Sequence, residues 1–229
     1  MSENDTLEYR SIIATEENAK AVQRMRLDSV ADIFDSPREL ANPNDTRFIN
    51  KELSKLAIKS DRFVGSYLDG SLVGFMETRK WSYGDEKNYE PAVVYLTEEE
   101  AQEAENIEKF KRHELEELAA RKLGIVAIGV TRGLNEDTHG KVIRGLLHQV
   151  PTIARSQGAT GVSAGSSVLH AVNIGLYERD DDQLTRIVRS EGFMFSGAIN
   201  WSLVRNQGIV QRLYTKPLDI GASAEQNEY

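Results

Sequence analysis

The chain has 229 residues, 40% of them hydrophobic and 28% charged, which predicts one substantial hydrophobic core in a single domain. It contains no cysteine, which excludes disulfides, thiolate nucleophiles and cysteine metal sites and fits a reducing compartment. No apolar run reaches the roughly 18 to 20 residues that span a bilayer, and the net charge of −8 disfavours a nucleic-acid surface. We therefore expect a cytoplasmic protein that contacts neither membrane nor nucleic acid.

The first segments alternate between strand and helix patterns. A short strand at 8–13 is followed by Thr15, a good N-cap, and the helix after it has acidic residues in its first turn. Its apolar residues recur at helical spacing until Pro37. A second helix with an apolar stripe begins after Asn44 or Asp45. The predicted order therefore opens with a strand and two helices.

A β-hairpin comes next, because Asp69-Gly70 supplies a tight turn between the apolar runs 62–68 and 72–78. Residues 82–121 read as an insertion. This segment contains a short apolar run and then Thr97, which begins a capping-box pattern ahead of a long charged helix. We expect that helix to dock on the domain or to form a dimer.

The second half opens with an almost continuous apolar run at 123–131, which predicts a buried strand. A polar loop follows, and helical spacing of apolar residues runs from Gly140 to Ala154, with Pro151 expected to kink this helix or end its first part. A strand that leads through a loop into a helix N-terminus presents unpaired backbone N–H groups. This segment therefore suits the phosphates of a nucleotide-like cofactor.

The remaining elements are predicted with shorter patterns. A short strand near 161–164 precedes a helix that is capped by Ser166 or Ser167 and carries Tyr177. A further helical turn and two strands complete the order, at 184–188, 194–204 and 209–216.

This order, from Tyr9 to Leu218, resembles the GNAT superfamily of acyl-CoA-dependent N-acetyltransferases. The local matches are the hairpin, the strand 125–130, the helix 140–154, the run 168–179 and Glu191-Gly192-Phe193. The resemblance implies an α+β fold, in which helices flank a mixed, mostly antiparallel central sheet of about seven strands with a helical insertion between the third and fourth. The domain would cover residues 8–218, between an N-terminal tail at 1–7 and a flexible C-terminal tail at 219–229.

The resemblance also implies acetyl-CoA as the acyl-donor cosubstrate. In the family, the strand equivalent to 125–130 splays from its neighbour and pairs with the pantetheine arm, which assigns that contact to Ile128, Gly129 and Val130. The next loop and helix N-terminus bind the pyrophosphate. The residues of this chain that the match assigns there are His139, Gly140, Lys141, Val142, Ile143 and Arg144. Asn173 resembles a family asparagine that contacts the cofactor, and its alternative is a helix-surface amide.

The pyrophosphate loop departs from the family's R/Q-x-x-G-x-G/A pattern. One register places Thr138, Lys141 and Ile143 at the key positions. The register shifted by one residue places Asp137, Gly140 and Val142 there. Gly140 keeps one flexible position, and Lys141 with Arg144 would contact phosphate directly in place of the missing glycines.

The chemistry implied by the resemblance is direct attack of an amine on the thioester, without a covalent enzyme intermediate. Tyr177 looks like the family tyrosine that protonates the departing thiolate, and its alternative is a core tyrosine. The predicted central strand has no carboxylate, so Glu77 on the hairpin is the nearest base by position, with a solvated strand carboxylate as its alternative.

No metal site is predicted, because His113-Glu114 lacks the second histidine of H-E-x-x-H. Two function classes remain. The first is an N-acyltransferase acting on a small-molecule or peptide amine, with a homodimer as an option. The alternative is a GNAT-like binding or regulatory module with weak catalysis.

Overall fold

A mixed eight-stranded sheet is the centre of the fold. The computed structural model describes residues 6–34, 42, 44–80, 93–95, 122–159, 170–177, 183–203 and 207–218. Their strands are β1 (Leu7–Ser11), β2 (Phe63–Leu68), β3 (Ser71–Lys80), β4 (Val93–Tyr95), β5 (Lys122–Val130), β6 (Ala171–Tyr177), β7 (Met194–Leu203) and β8 (Gln207–Pro217). The strand order is β1-β2-β3-β5-β6-β8-β7-β4, and only β5 and β6 pair in parallel.

Helices cover both faces of this sheet. They are α1 (Glu16–Phe34), α2 (Thr46–Ile58), α3 (Glu136–His148), α4 (Val150–Ala154) and α5 (Gln183–Ser190). One hydrophobic cluster joins the sheet to α1 and α2, and the other joins it to α3, α4 and α5. The expected α+β fold, with helices around a mostly antiparallel sheet, is confirmed.

The first half of the chain follows its sequence signals closely. Thr15 Oγ1 accepts from the Asn18 amide at 3.2 Å at the start of α1, and Asp45 Oδ1 accepts from the Arg47 amide at 2.9 Å at the start of α2. In the predicted hairpin, Asp69 and Gly70 have φ angles of 50° and 78°. These left-handed conformations suit a two-residue hairpin turn.

The predicted start of the long helix at Gly140 is wrong. Helix α3 begins at Glu136, and the side chain of Asn135 accepts a hydrogen bond from the Thr138 amide at 2.8 Å. An asparagine cap followed by two acidic residues is favoured at a helix start, so the helix forms four residues earlier. The break near Pro151 is confirmed, because α3 ends at His148 and Pro151 lies in the first turn of α4.

The predicted helix through Tyr177 is also wrong, because Ala171–Tyr177 is strand β6. Its first four residues, Ala171 to Ile174, are all buried at 5% exposure or less, so burial does not alternate along this strand. Strand β6 lies between β5 and β8, so burial on both faces made its composition ambiguous. By contrast, the helical turn at 184–188 is confirmed as part of α5.

Part of the predicted insertion is described. Strand β4 comes from its apolar run and pairs with β7 at the edge of the sheet, giving eight strands where about seven were expected. The helix expected after Thr97, the short strand near 161–164 and the C-terminal tail at 219–229 lie outside the described residues. No helix among the described residues is long and apolar enough to cross a membrane.

Candidate functional site

The two parallel strands at the centre of the sheet separate after four residue pairs. Their pairing runs from Lys122 and Ala171 to Ile125 and Ile174. Strand β5 continues to Val130 while it stays paired with β3, and β6 continues while it stays paired with β8. We call the gap between 126–130 of β5 and 175–177 of β6 the wedge. Among the described residues, no strand pairs with the β5 edge that faces it.

A β-bulge marks the point where the wedge opens. In the ladder between β3 and β5, Glu77 pairs with Ala127 and Thr78 pairs with Ile125, so Val126 is the extra residue. Its side chain is 39% exposed although its neighbours in β5 are largely covered. A bulge bends a strand and interrupts its pairing, which explains why β5 turns away from β6 at this residue.

The predicted pantetheine-contact residues lie on the wedge. Ile128 and Val130 pack against the core on the α3 face, while Gly129 is buried on the α1 face. A Cβ added to Gly129 would lie 2.6 Å from Phe75 Cε1 and 3.1 Å from Met25 Cβ. The glycine therefore lets α1 pack closely on the sheet. The role of Ile128, Gly129 and Val130 as cofactor contacts, which would use their backbone groups, stays a prediction.

The six predicted pyrophosphate residues lie inside α3. Helix geometry directs their amides to carbonyls one turn earlier, and the His139 amide donates to Asn135 O at 2.9 Å. Val142 and Ile143 are buried in the core at 0% and 2% exposure. Gly140 is also buried, and a Cβ there would meet Ile187 of α5 at 3.7 Å. The position of Gly140 therefore fits helix packing.

The two cations expected to reach phosphate are paired with carboxylates. Lys141 Nζ lies 2.6 Å from Asp137 Oδ2, one helical turn earlier. Arg144 Nε lies 3.8 Å from Glu191 Oε1. The other oxygen of the same carboxylate, Glu191 Oε2, lies 2.8 Å from His148 Nε2. The contact of Lys141 and Arg144 with phosphate stays untested, but each has an acidic neighbour that competes for it.

A buried charge cluster lies on the opposite face of the sheet, between α1, α2 and β3. Arg26 Nη2 donates to Glu77, the predicted base, and Arg26 Nε lies 3.3 Å from Glu52 Oε2. Lys55 Nζ lies 2.7 Å from Glu52 Oε1, and the Arg26 guanidinium stacks over Phe75 at 4.9 Å from the ring centroid. Glu52 is only 4% exposed, so its charge needs both cations.

This cluster places Glu77 beside the wedge. Glu77 pairs across the ladder with Ala127, next to the bulge, and its side chain is 15% exposed. It is therefore a shielded carboxylate and not a solvated strand residue. Its assignment as a base stays a prediction.

Arg26 and Glu52 are not among the predicted site residues. The signal was a charged residue within the apolar stripe of each helix, since Arg26 follows Val22 by four positions and Glu52 follows Ile49 by three.

Asn173 and Tyr177 lie on β6 and not on a helix, so the helix-surface alternative for Asn173 is wrong as well. Asn173 is fully buried, and Thr215 Oγ1 lies 2.5 Å from its Oδ1 and 2.7 Å from Ser196 Oγ. This network ties β6 to β8 and β7. Tyr177 pairs with Gln211 at the end of β6 that borders the wedge. Helix α5, which ends shortly before Gly192-Phe193, contains no tyrosine.

A metal site was not expected, and the described residues contain no group of three potential metal ligands.

Solved structures identify this architecture. The chain superimposes on yncA of Salmonella typhimurium, in a structure that holds its cofactor acetyl-CoA, with a TM-score of 0.54 and 12% identity over 96% of this chain and 98% of that one. It matches the acetyltransferase of GNAT family from Streptococcus pneumoniae with a TM-score of 0.53 and 13% identity, over 93% of this chain and 99% of that one.

A third match is the ribosomal-protein-alanine N-acetyltransferase from Brucella melitensis, with a TM-score of 0.54 and 15% identity over 92% of this chain and 99% of that one. No protein-family model matches the sequence, and no curated protein matches it. The chain therefore has the GNAT fold, as its resemblance predicted, with only 12 to 15% sequence identity to these three structures.

Proposed function

We propose that this chain is an N-acyltransferase that moves an acetyl or related acyl group from a pantetheine thioester, such as acetyl-CoA, to a primary amine by direct attack. The observation that carries the proposal is the wedge between β5 and β6, opened by a bulge at Val126, in a chain with the GNAT fold. An open pair of parallel strands in the middle of a sheet leaves hydrogen-bonding groups that a ligand can satisfy.

The wedge fits the pantetheine arm of such a donor. That arm is a flexible chain with amide groups, and the edge of β5 from Val126 to Val130 offers backbone N–H and C=O groups in extended conformation. The thioester would lie near the bulge, where an N–H of β5 polarises its carbonyl as negative charge develops. The chain thus positions the donor with backbone groups.

The acceptor would approach from the face that α1 and α2 cover, because the shielded carboxylate of Glu77 lies there. The attacking amine must be neutral, and Glu77 would accept a proton from it directly or through water. Arg26 holds the Glu77 carboxylate in place by a charge-assisted hydrogen bond, while Glu52 and Lys55 fix the position of Arg26. Arg26 is thus a positioning residue in this mechanism.

The departing thiolate needs less assistance than an alkoxide would, because thiols are much more acidic than alcohols, and the thiol of free cysteine has a pKa of about 8.5. Tyr177 remains the candidate donor of its proton, since β6 ends with Tyr177 beside the wedge. Because α5 has no tyrosine, a proton donor of the expected type is missing from the helix before Gly192.

The alternative is a GNAT-like module that binds a ligand and catalyses weakly. The pairing of Glu77 with Arg26 favours it, because the Arg26 hydrogen bond occupies one oxygen of the Glu77 carboxylate. Both functions use the wedge, so binding alone does not separate them.

Titration calorimetry with acetyl-CoA and acetylpantetheine, followed by thiol release with a panel of amines, tests the proposal. An N-acyltransferase should bind the donor and release its thiol only when an amine is present. Absence of binding by both donors at millimolar concentration would overturn the donor site. Binding without release across small amines and peptides with free N-termini would instead support the binding module.

A further inference from the structure

We infer that this chain recognises its donor through the pantetheine arm, and that the segment 131–148 gives the diphosphate of acyl-CoA no net attraction. A simple pantetheine thioester is then as good a donor as acyl-CoA. The inference rests on the proposed function and specifies its ligand. It follows from the loop and helix at the wide end of the wedge, where a diphosphate attached to the arm would lie.

A diphosphate at such a place is normally attracted in three ways. Unpaired amides of the helix N-terminus donate to it, glycines let the backbone approach it, and lysine or arginine side chains neutralise it. Each of these can be checked in the segment 131–148, which the structure describes throughout.

The amides of the first turn are partly occupied. Asn135 Oδ1 accepts from Thr138 N at 2.8 Å, and Asn135 O accepts from His139 N at 2.9 Å. The first two helical residues, whose amides have no acceptor within the helix, are Glu136 and Asp137. Both have exposed carboxylates, so a diphosphate that approached their amides would meet two like charges.

The glycines do not provide close approach either. The two registers of the family pattern use six positions between them. Three of these residues are buried, Thr138, Val142 and Ile143, at 7%, 0% and 2% exposure. The other three are Asp137, Gly140 and Lys141. The one glycine, Gly140, lies in the second turn against α5, where a Cβ would meet Gln183 Nε2 at 3.8 Å and Ile187 at 3.7 Å. The backbone around it is engaged within the helix.

All three lysine and arginine residues of this segment have carboxylate partners. Arg132 Nε lies 3.5 Å from Asp28, Lys141 Nζ lies 2.6 Å from Asp137, and Arg144 Nε lies 3.8 Å from Glu191. A diphosphate would meet a carboxylate beside each of these cations, and its repulsion offsets the attraction of the cation. The wedge itself offers uncharged backbone groups, which suit the uncharged amides of the arm.

The test compares CoA with pantetheine by calorimetry on the intact chain, at 20 mM and 200 mM salt. We expect dissociation constants within threefold of each other, with that of CoA unchanged or lower at high salt because salt screens repulsion from Glu136 and Asp137. CoA that binds more than tenfold tighter than pantetheine, with an advantage that falls as salt rises, overturns the inference and leaves the proposed function intact. Absence of binding by both ligands overturns the proposed function as well.

A charge-neutralised variant gives a second test. We expect Glu136→Gln with Asp137→Asn to tighten CoA binding three- to tenfold and to leave pantetheine binding unchanged, which also shows that the variant is folded. In the same variant, kcat/KM for thiol release should rise three- to tenfold with acetyl-CoA and stay unchanged with acetylpantetheine.

The matched control is Glu16→Gln with Glu17→Gln in the first turn of α1. It makes the same charge change, and Glu16 pairs with Lys20 at 2.6 Å one turn later, as Asp137 pairs with Lys141. Glu16 is about 18 Å along α1 from Asp28, which contacts the loop. At 200 mM salt this exceeds the screening length of roughly 7 Å, so the two variants are compared at that salt concentration. The control should bind CoA like the parent. An equal gain in both variants, or no gain in the first, contradicts the inference.

Discussion

Two glycines on α3 distinguish packing from phosphate binding when each is changed to alanine. A Cβ on Gly145 would lie 1.9 Å from Tyr9 Cζ and 2.1 Å from Tyr9 Oη, which donates to Lys141 O at 2.9 Å. A Cβ on Gly140 would lie 3.3 Å from an Arg144 guanidinium nitrogen, the far end of a flexible side chain. The same substitution therefore meets a fixed ring at one position and a movable group at the other.

The magnitudes follow from these distances. Alanine is favoured over glycine inside a helix by about 1 kcal/mol, and this gain applies to both substitutions. For Gly140→Ala we expect a net stabilisation of about 0.5 to 1 kcal/mol. For Gly145→Ala, displacement of the Tyr9 ring costs about 1 to 3 kcal/mol, and loss of its hydrogen bond costs about another 1 kcal/mol. The net result is a destabilisation of about 1 to 3 kcal/mol.

Urea unfolding at equilibrium measures both changes, and calorimetry with CoA measures their functional effect. For a chain of this size, 1 kcal/mol corresponds to a Tm shift of about 2 to 4 °C. Gly140→Ala should raise Tm and leave CoA binding unchanged. A tenfold loss of CoA affinity in a Gly140→Ala protein of normal stability would show that this glycine does approach phosphate, and a neutral Gly145→Ala would refute the packing argument.

Four further substitutions test individual assignments. Glu77→Gln should lower kcat about a hundredfold, within the range of general-base catalysis, and preserve donor affinity. The loss of kcat should be smaller at high pH, where the amine is already neutral, and an unchanged kcat rejects Glu77 as the base. Tyr177→Phe should lower kcat about tenfold or more at constant donor affinity if Tyr177 protonates the thiolate, and equality with the parent rejects that role. Asn173→Ala should cost about 1 to 3 kcal/mol in urea unfolding, because Thr215 Oγ1 loses the buried amide oxygen that it contacts, while pantetheine affinity stays unchanged. A selective loss of affinity would instead support the cofactor contact. Burial raises the pKa of Tyr9, so the folded chain retains the phenol proton more strongly than the unfolded chain does. The folded chain therefore loses stability as pH rises above the ordinary tyrosine pKa of about 10. Tyr9→Phe should lose less stability between pH 9 and 11, and an equal loss would assign the effect to another group.

The fold was predictable where a local signal and the tertiary context agree. The turn at Asp69-Gly70, the cap at Thr15 and the break near Pro151 each depend on neighbouring residues, and the structure contains all three. The prediction failed at β6 because its residues are buried on both faces, where apolar composition does not distinguish a strand from a helix. The start of α3 failed for a different reason. The signal at Asn135 was present, but the spacing of apolar residues was followed to Gly140 instead.

The candidate site divides into a part that leaves no trace in side chains and a part that does. A wedge built from strand edges needs only the order of the strands and one extra residue at Val126, so almost any apolar sequence can form it. Affinity for a diphosphate needs particular glycines and free cations, whose absence can be checked position by position. This asymmetry explains why the sequence indicates the strands of the candidate site but no matching glycine pattern for a diphosphate. Under the proposed function, substitutions in α3 would remove diphosphate affinity while the strand edges that would hold the thioester stay in place.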